Sequence, residues 1–222
     1  MFKTFSLIFI CVSLLCNIAE AAEFTENNQK LLEDLKSNLG KVESLEAAFT
    51  QTRYLSLFEE RLTSKGRLYF QAPNMMRWEI TEPYKSILIF SQGAASKYEV
   101  TEGKTRKMKL AGSEFFAQVM EQMMKFIKGD FTSLNKTYNL EVKKDKEIRV
   151  MLAPYSSGKP SKLSSFTFHI NPANYRVTRL IITEQSEDNK NTGDRIEIDF
   201  KTESENKKLP DEIFSQTNPK LF

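Results

Sequence analysis

Apolar or small residues alternate with polar ones along most of this chain, and the period of two constrains the fold more than any other feature. Within residues 62–70 the alternate positions are occupied by Leu62, Ser64, Gly66, Leu68 and Phe70. Successive side chains of a strand point to opposite faces of a sheet, so this pattern is typical of an antiparallel sheet with one buried face.

Turn-forming residues divide the alternating region into about eleven strand segments. The first group comprises residues 45–57, 62–70, 75–81, 86–91, 96–101 and 105–110. The second group comprises residues 138–142, 147–153, 162–170, 175–184 and 195–201. Most connections are short. We therefore expect strands that are neighbours in sequence to pair in a meandering sheet, which curls because sheets twist.

Two segments have helical periodicity instead. Residues 25–39 predict an amphipathic helix, with Thr25 as its N-cap and Gly40 as its end. Residues 113–128 predict a second helix that is apolar around more than half of its circumference and rich in methionine, a flexible side chain common at adaptable apolar surfaces. Its N-cap is Ser113, it ends at Gly129, and its apolar residues are Phe115, Phe116, Val119, Met120, Met123, Met124, Phe126 and Ile127.

The second helix has two interpretations. It fills the inner side of the sheet as ordinary core, or it is a lid over an apolar cavity that a ligand can enter. Both interpretations give the helix the same position. They differ in whether the space beneath it is filled.

The first residues predict a secretory signal peptide. A lysine precedes an apolar run, and small residues stand at Ala19 and Ala21, where a signal peptidase needs them. The alternatives are a short membrane anchor and a lipid-modified cysteine, although neither Cys11 nor Cys16 follows the small residue that lipoprotein processing requires. We expect residues 1–21 to be cleaved and residues 22–222 to form one domain.

Cleavage at that position removes both cysteines, so the exported chain has no thiol for a disulfide or a zinc site. The net charge of +3 is too small for a dedicated nucleic-acid binder. His169 is the only histidine, and the common hydrolase and phosphate-loop motifs do not occur. We expect no catalytic residue, metal site, cofactor or nucleic-acid partner. An enzyme with an unusual polar site stays an alternative.

A hairpin in the first group of strands is strongly basic, and its charges are Lys104, Arg106, Lys107 and Lys109. One explanation is that charge protects an exposed edge strand from pairing with other chains. The other is a docking patch for an acidic partner surface or for anionic lipid headgroups.

Residues 65–80, KGRLYFQAPNMMRWEI, are followed by Glu82-Pro83 and by the aliphatic segment 87–90. This order of a Gly-containing strand, a Pro-Asn turn, a Trp-containing strand, a Pro and an aliphatic strand resembles the LolA family of outer-membrane lipoprotein carrier proteins. Residues 48–51, AFTQ, and 166–168, FTF, extend the resemblance over nearly all of the exported chain.

The resemblance implies an α+β fold: an unclosed antiparallel β-barrel of about eleven strands, with an N-terminal helix and an apolar lid helix. It also implies a monomeric periplasmic carrier, not an enzyme. Its partners would be acylated lipoproteins, an inner-membrane ATP-driven lipoprotein release complex and an outer-membrane lipoprotein receptor. The alternative is a periplasmic sensor or regulatory module of similar fold that binds lipid or protein.

By position, Met76 resembles the family's bulky apolar residue at the cavity mouth, Trp78 its buried tryptophan, and Phe166 an inward aromatic residue near the lid. The expected lipid-binding residues are Phe49, Leu68, Phe70, Met76, Trp78, Ile80, Phe116, Met120, Met123, Met124, Phe166 and Phe168.

The chain departs from the family at Ala72, where the family often has an arginine thought to latch the lid. Arg67 and Arg77 are candidate replacements for that latch, and the other possibility is that packing alone holds the lid.

Overall fold

The computed structural model describes residues 28–55, 61–91, 93–109, 114–155, 163–185, 192–216 and 219–220. The predicted signal peptide and the predicted caps Thr25 and Ser113 lie outside these ranges. Among the described helices, none has both the length and the apolar character needed to cross a membrane.

The described residues contain eleven strands, which are all antiparallel and form a single sheet. They are β1 (Ser44–Tyr54), β2 (Arg61–Gln71), β3 (Met75–Glu82), β4 (Lys85–Ser91), β5 (Ala94–Thr101), β6 (Lys104–Met108), β7 (Tyr138–Lys144), β8 (Ile148–Pro154), β9 (Leu163–Ile170), β10 (Val177–Gln185) and β11 (Thr192–Glu205). The predicted strand number and the α+β class are confirmed.

The sheet order is β6-β5-β4-β3-β2-β1-β11-β10-β9-β8-β7. Neighbours in sequence pair throughout, as predicted. The additional pairing of β1 with β11 joins the two halves and sets Phe49 opposite Phe200. The edge strands β6 and β7 are not paired with each other in the described part of the chain, so the barrel is open along this seam.

The helices are α1 (residues 28–39), α2 (Glu114–Ile127) and the single-turn α3 (Phe131–Asn135), and a 3-10 helix spans Asp211–Phe214. The first two agree with the sequence analysis over the described residues. The last two were not predicted, because four or five residues are too few to show a period.

The helices α1 and α2 pack on one side of the sheet, which we call the inner face. Trp78 in β3 and Ile182 in β10 line the same small cavity there, although three strands separate β3 from β10. In a flat sheet these strands would be roughly 19 Å apart. The sheet is therefore strongly curled around its inner face.

The opposite, outer face is covered at β3 by residues 209–216 and 219–220. The Arg77 Nε donates a hydrogen bond of 2.6 Å to Glu79 Oε1, and its Nη1 donates one of 2.8 Å to the carbonyl of Ile213. Both charged side chains are completely buried. Nearby, the pKa of the Tyr69 hydroxyl is raised to about 12, mainly because the hydroxyl is buried and also because the Glu79 carboxylate lies close to it.

The prediction that Arg67 or Arg77 latches the lid is wrong. Arg77 bonds to the C-terminal segment on the outer face, and Arg67 donates to the carboxylates of Glu46 and Glu203. The reason is the period of two: both arginines occupy strand positions whose side chains point away from α2.

Candidate functional site

The inner face carries a continuous apolar surface contributed by both halves of the sheet and by α1 and α2. Every expected lipid-binding residue except Phe116 is buried in this one cluster. Phe116 belongs to α2, but its side chain lies outside the described part of the chain. The structure thus brings the described members of the predicted set together, while leaving their role as lipid ligands a prediction.

A close packing of three residues shapes the wall of the cluster at β1–β3. The Phe49 ring stacks on the Trp78 indole, with ring centroids 3.9 Å apart. This placement depends on Gly66, because a Cβ atom there would lie 2.5 Å from the Phe49 ring and 1.8 Å from the carbonyl oxygen of Glu79. Gly66 therefore lets an aromatic side chain lie flat across the strand.

On the other wall, α2 packs through its aromatic and methionine residues. Phe126 is stacked on Phe168 of β9 with centroids 3.6 Å apart. Its ring also meets Phe131 of α3 edge-on. Met120, Met123 and Met124 are buried in the same cluster.

Between α2 and the sheet, the described residues enclose cavities of about 40 Å³ and about 10 Å³. Such volumes hold only a few water-sized groups. The hypothesis of a vacant hollow therefore does not match this arrangement, in which helix side chains fill the interior. The larger cavity is bounded by Leu39, Val42, Leu45, Ala47, Leu68, Met123, Ile127, Phe168, Arg176, Val177, Phe200 and Thr202.

Gln51 and Trp78 are among the residues that line the smaller cavity, whose surface is entirely apolar. The indole Nε1 of Trp78 and the amide Oε1 of Gln51 are buried, and neither has a hydrogen-bond partner in the described structure. The sequence analysis did not single out Gln51 as a site residue. Its position two residues after Phe49 was the available signal, because both side chains then point to the inner face.

A charged group stands at the edge of the larger cavity. The Arg176 guanidinium pairs through Nε and Nη2 with the Glu205 carboxylate, while its Nη1 is buried without a partner in the described structure. The sequence analysis included Arg176 in the predicted strand 175–184 but did not single it out; in the structure it directly precedes β10.

The basic residues of the predicted hairpin lie at the free edge of the sheet. Lys104, Arg106 and Lys107 are in β6 and Lys109 follows it, and all four are exposed. The Lys107 Nζ lies 5.9 Å from the centroid of the Tyr98 ring on the neighbouring strand. Since β6 leads towards α2, the positive charge lies beside the open seam.

His169 is on the strand β9, between the inward residues Phe168 and Ile170. Its Nδ1 is 2.7 Å from Glu147 Oε1, so its polar contact is an ordinary pairing with a carboxylate away from the inner face. In the described part of the chain, no three His, Cys, Asp or Glu residues are placed to hold a metal ion.

The family model described as "Outer membrane lipoprotein carrier protein LolA" matches residues 40–217. An outer-membrane lipoprotein carrier protein of Methylococcus capsulatus is 36% identical over 92 residues, which cover 41% of this chain and 42% of that protein. The Serratia proteamaculans protein of the same description is 37% identical over 57 residues, covering 26% of this chain and 28% of its own. In both cases the chain spans less than half the length of the relative it matches.

Among solved structures, a LolA superfamily protein from Nitrosomonas europaea is similar at a TM-score of 0.43 and 12% identity. The superposition covers 85% of this chain and 97% of that chain.

Proposed function

The chain belongs to the LolA family of outer-membrane lipoprotein carrier proteins, and we propose that it acts in the periplasm as a carrier of lipoprotein acyl chains. In this proposal residues 1–21 direct export and are removed. The carrier receives its cargo from an inner-membrane ATP-driven release complex and gives it to an outer-membrane receptor. The observation that supports it is the continuous apolar inner face beneath a methionine-rich helix.

The size of the hydrophobic effect explains why such a carrier is needed. Burial contributes about 0.8 kcal/mol per CH₂, so an acyl chain of fifteen carbons represents roughly 12 kcal/mol. The free energy of non-covalent binding reaches a limit near −18 to −21 kcal/mol. Binding to a protein therefore cannot compensate for the burial free energy that several such chains lose on leaving a membrane. Loading therefore needs work from a partner, while release runs downhill to an acceptor that buries the chains better.

Because side chains fill the interior, cargo has to enter by exchange. An acyl chain takes the place of α2 side chains such as Met120 and Met123 against the sheet, and the helix then covers the chain. One set of apolar contacts replaces another, so the net free-energy change of the exchange is small. Methionine suits this role because its unbranched side chain repacks easily.

In this proposal the protein works by binding alone and needs no catalytic residue or cofactor. Hydrolysis of ATP or of an ester by the purified protein would contradict the proposal. The exposed residues Lys104, Arg106, Lys107 and Lys109 would dock an acidic surface of one of the membrane partners. Their alternative role, protection of the β6 edge, predicts that charge reversal leaves transfer intact and promotes aggregation.

The proposal is tested by displacement of a fluorescent fatty acid from the purified protein. Met123→Glu places a carboxylate on the buried side of α2, and desolvating that charge costs several kcal/mol, so we expect uptake to fall at least tenfold. The matched control is Gln118→Glu, which adds the same charge at an exposed position of the same helix. Equal uptake by both variants, with native circular dichroism, would show that the interior is permanent core.

A further inference from the structure

The strand β6 lies at one edge of the sheet, and its pairing with β5 is regular. All five of its residues, Lys104–Met108, have a partner in β5 without a shift of register. The strand contains neither a proline nor a bulge, two features that commonly prevent further pairing at a sheet edge. Its backbone can therefore accept another strand.

The turn between β5 and β6 identifies the backbone groups that face the free edge. Its two central residues, Glu102 and Gly103, have φ angles of 51° and 75°, as in the type I′ turn of a two-residue hairpin. The residue pair that flanks such a turn exchanges hydrogen bonds, and bonded and non-bonded pairs then alternate along the strands. The N–H and C=O groups of Thr105 and Lys107 thus point away from β5, where no described strand pairs with them.

The side chains add strong positive charge to this edge. The exposed cations of β6 and of the residue that follows it are Lys104, Arg106, Lys107 and Lys109. Among the described residues, none of these cations has a carboxylate within salt-bridge distance. Glu99 stands opposite Arg106 in the register, but its Oε1 forms an ion pair of 4.0 Å with Lys97 Nζ.

The sign of the charge decides which strand can pair at this edge. The cations repel the same strand of a second copy, because like charges directly opposite each other on paired strands are destabilising. An acidic strand places carboxylates opposite the same cations, and these pairs add to the hydrogen bonds of the backbone. The edge thus disfavours self-association and favours an acidic chain.

The topology leaves β6 without an antiparallel partner across the seam. Because each of the eleven strands runs opposite to its neighbours, the two edge strands β6 and β7 run in the same direction. Continuing the antiparallel pattern across the seam requires one more strand. A strand antiparallel to β6 meets this requirement.

We propose that β6 binds an extended acidic polypeptide segment as an additional antiparallel strand. The backbone groups of Thr105 and Lys107 bond to the segment, and Lys104, Arg106 and Lys107 pair with its carboxylates. The inference rests on the proposed carrier function for the identity of the partner as a membrane protein, and it specifies how that partner docks. A segment of about five residues matches the length of β6.

The test uses the full exported chain and the fluorescein-labelled peptide VEVEVEV, with binding followed by fluorescence anisotropy. A second peptide has the same sequence with every backbone nitrogen methylated, so it keeps its carboxylates and loses its amide donors. We expect the first peptide to bind and the methylated peptide to bind at least roughly tenfold more weakly. Added salt should weaken the binding of the first peptide, because its charge pairs are exposed.

Thr105→Pro removes one N–H from the free edge, at a position where an edge strand tolerates proline. We expect the affinity for VEVEVEV to fall about threefold to tenfold, the range for one hydrogen bond. Thr105→Val is the matched control, because it keeps the N–H and loses only the hydroxyl bond to the carbonyl of Pro219. Its affinity should equal that of wild type. Circular dichroism checks that both variants are folded.

A second pair of variants tests the charge. The double variant Lys104→Gln with Arg106→Gln should lower the affinity about threefold to tenfold, the range for two exposed ion pairs. The control is Lys143→Gln with Lys144→Gln, which removes the same charge from exposed positions of the other edge strand, β7. This control should bind the peptide as wild type does.

Hydrogen exchange locates the bound peptide. The amide protons of Thr105 and Lys107 should exchange more slowly when VEVEVEV is bound, whereas that of Arg106, which faces β5, should change little. Equal affinity for the two peptides, or equal affinity of Thr105→Pro and Thr105→Val, would overturn strand addition. Binding to phosphatidylglycerol vesicles without binding to the peptide would also overturn it, since lipid headgroups would then be the occupant.

Displacement of the fluorescent fatty acid from the same wild-type preparation separates this inference from the carrier function. Normal uptake of the fatty acid without peptide binding would overturn strand addition alone. Peptide binding without any uptake of the fatty acid would overturn the carrier function and leave strand addition at β6 supported.

Discussion

Gly129, two residues beyond the end of α2, lies directly against the backbone of Lys36 in α1. A Cβ atom at position 129 would be 2.9 Å from the Lys36 carbonyl oxygen and 3.0 Å from its Cα, and the residue has a φ of +65°. The C-terminal end of α2 is therefore fixed to the rest of the fold through backbone contact. If α2 moves to admit a ligand, we expect its N-terminal part to move and this end to act as the pivot.

Replacing Gly129 should weaken the attachment of the C-terminal end of α2 to α1. Gly129→Ala forces a non-glycine residue into the left-handed region, which costs roughly 1–2 kcal/mol, and it adds the clash with Lys36. We expect a total loss of about 2–4 kcal/mol in the free energy of unfolding by urea, followed through Trp78 fluorescence. Gly103→Ala is the matched control, since Gly103 has a φ of +75° and open space around it. If the two variants lose the same stability, the contact with Lys36 does not matter.

Gly66→Ala should damage the wall that carries Phe49 and Trp78. The added methyl group cannot fit 1.8 Å from the Glu79 carbonyl oxygen, so β3 must move away from β2. We expect a loss of roughly 3 kcal/mol or more, together with altered Trp78 emission as the stacking changes. Ser64→Ala, on the same face two residues earlier, should cost far less. A Gly66→Ala protein with wild-type stability and emission would contradict the described packing.

Replacing only one member of the buried Arg77–Glu79 ion pair should strongly lower the free energy of unfolding. Arg77→Met leaves the Glu79 charge buried without its counter-charge, and we expect a loss of about 3–5 kcal/mol in chemical unfolding. Adding Glu79→Leu should recover part of that loss. The exposed pair of Lys65 and Glu82 is the control, and Lys65→Met should change stability by less than about 1 kcal/mol.

Arg77 also bonds to the carbonyls of Ile213 and Lys220, so its loss should release the C-terminal segment. Limited proteolysis should then cut Arg77→Met near those residues faster than it cuts wild type. Unchanged cutting would mean that the apolar contacts of Leu209, Ile213 and Phe214 are sufficient to hold the segment.

The raised pKa of Tyr69 predicts a loss of stability at high pH. In the unfolded chain a tyrosine releases its proton near pH 10, whereas Tyr69 in the folded protein does so near pH 12. Its contribution is fully present below pH 10 and is lost as the pH rises to 12, by about 2–3 kcal/mol.

The measurement is the free energy of urea unfolding from pH 9 to 12 for wild type and Tyr69→Phe. The variant has no proton to release at this position, so its stability should decline less steeply over this range. Tyr84→Phe, at a largely exposed tyrosine, should follow the wild-type slope. Parallel curves for wild type and Tyr69→Phe would contradict the raised pKa.

Much of the site was predictable because a strand has only two faces. The alternation alone places Met76, Trp78 and Ile80 together and sends Arg77 and Glu79 to the other side, as the structure has them. The apolar periodicity of α2 fixed its length and its buried side in the same way. The family resemblance added the open-barrel architecture, which periodicity by itself leaves undetermined.

Contacts between distant segments were not predictable from these patterns. No local signal pairs β1 with β11, brings residues 209–216 and 219–220 over Arg77, or places Gln51 and Trp78 around one cavity beneath α2. The filling of the interior is a further case, since it depends on how side-chain volumes from both halves fit together.

The sequence by itself determined which residues form strands and helices and which side of each is apolar, because these properties repeat over a few neighbouring residues. Only the tertiary structure decided what each apolar or charged side chain meets. That outcome depends on the curl of the whole sheet and on chain segments more than a hundred residues apart, which no local period encodes.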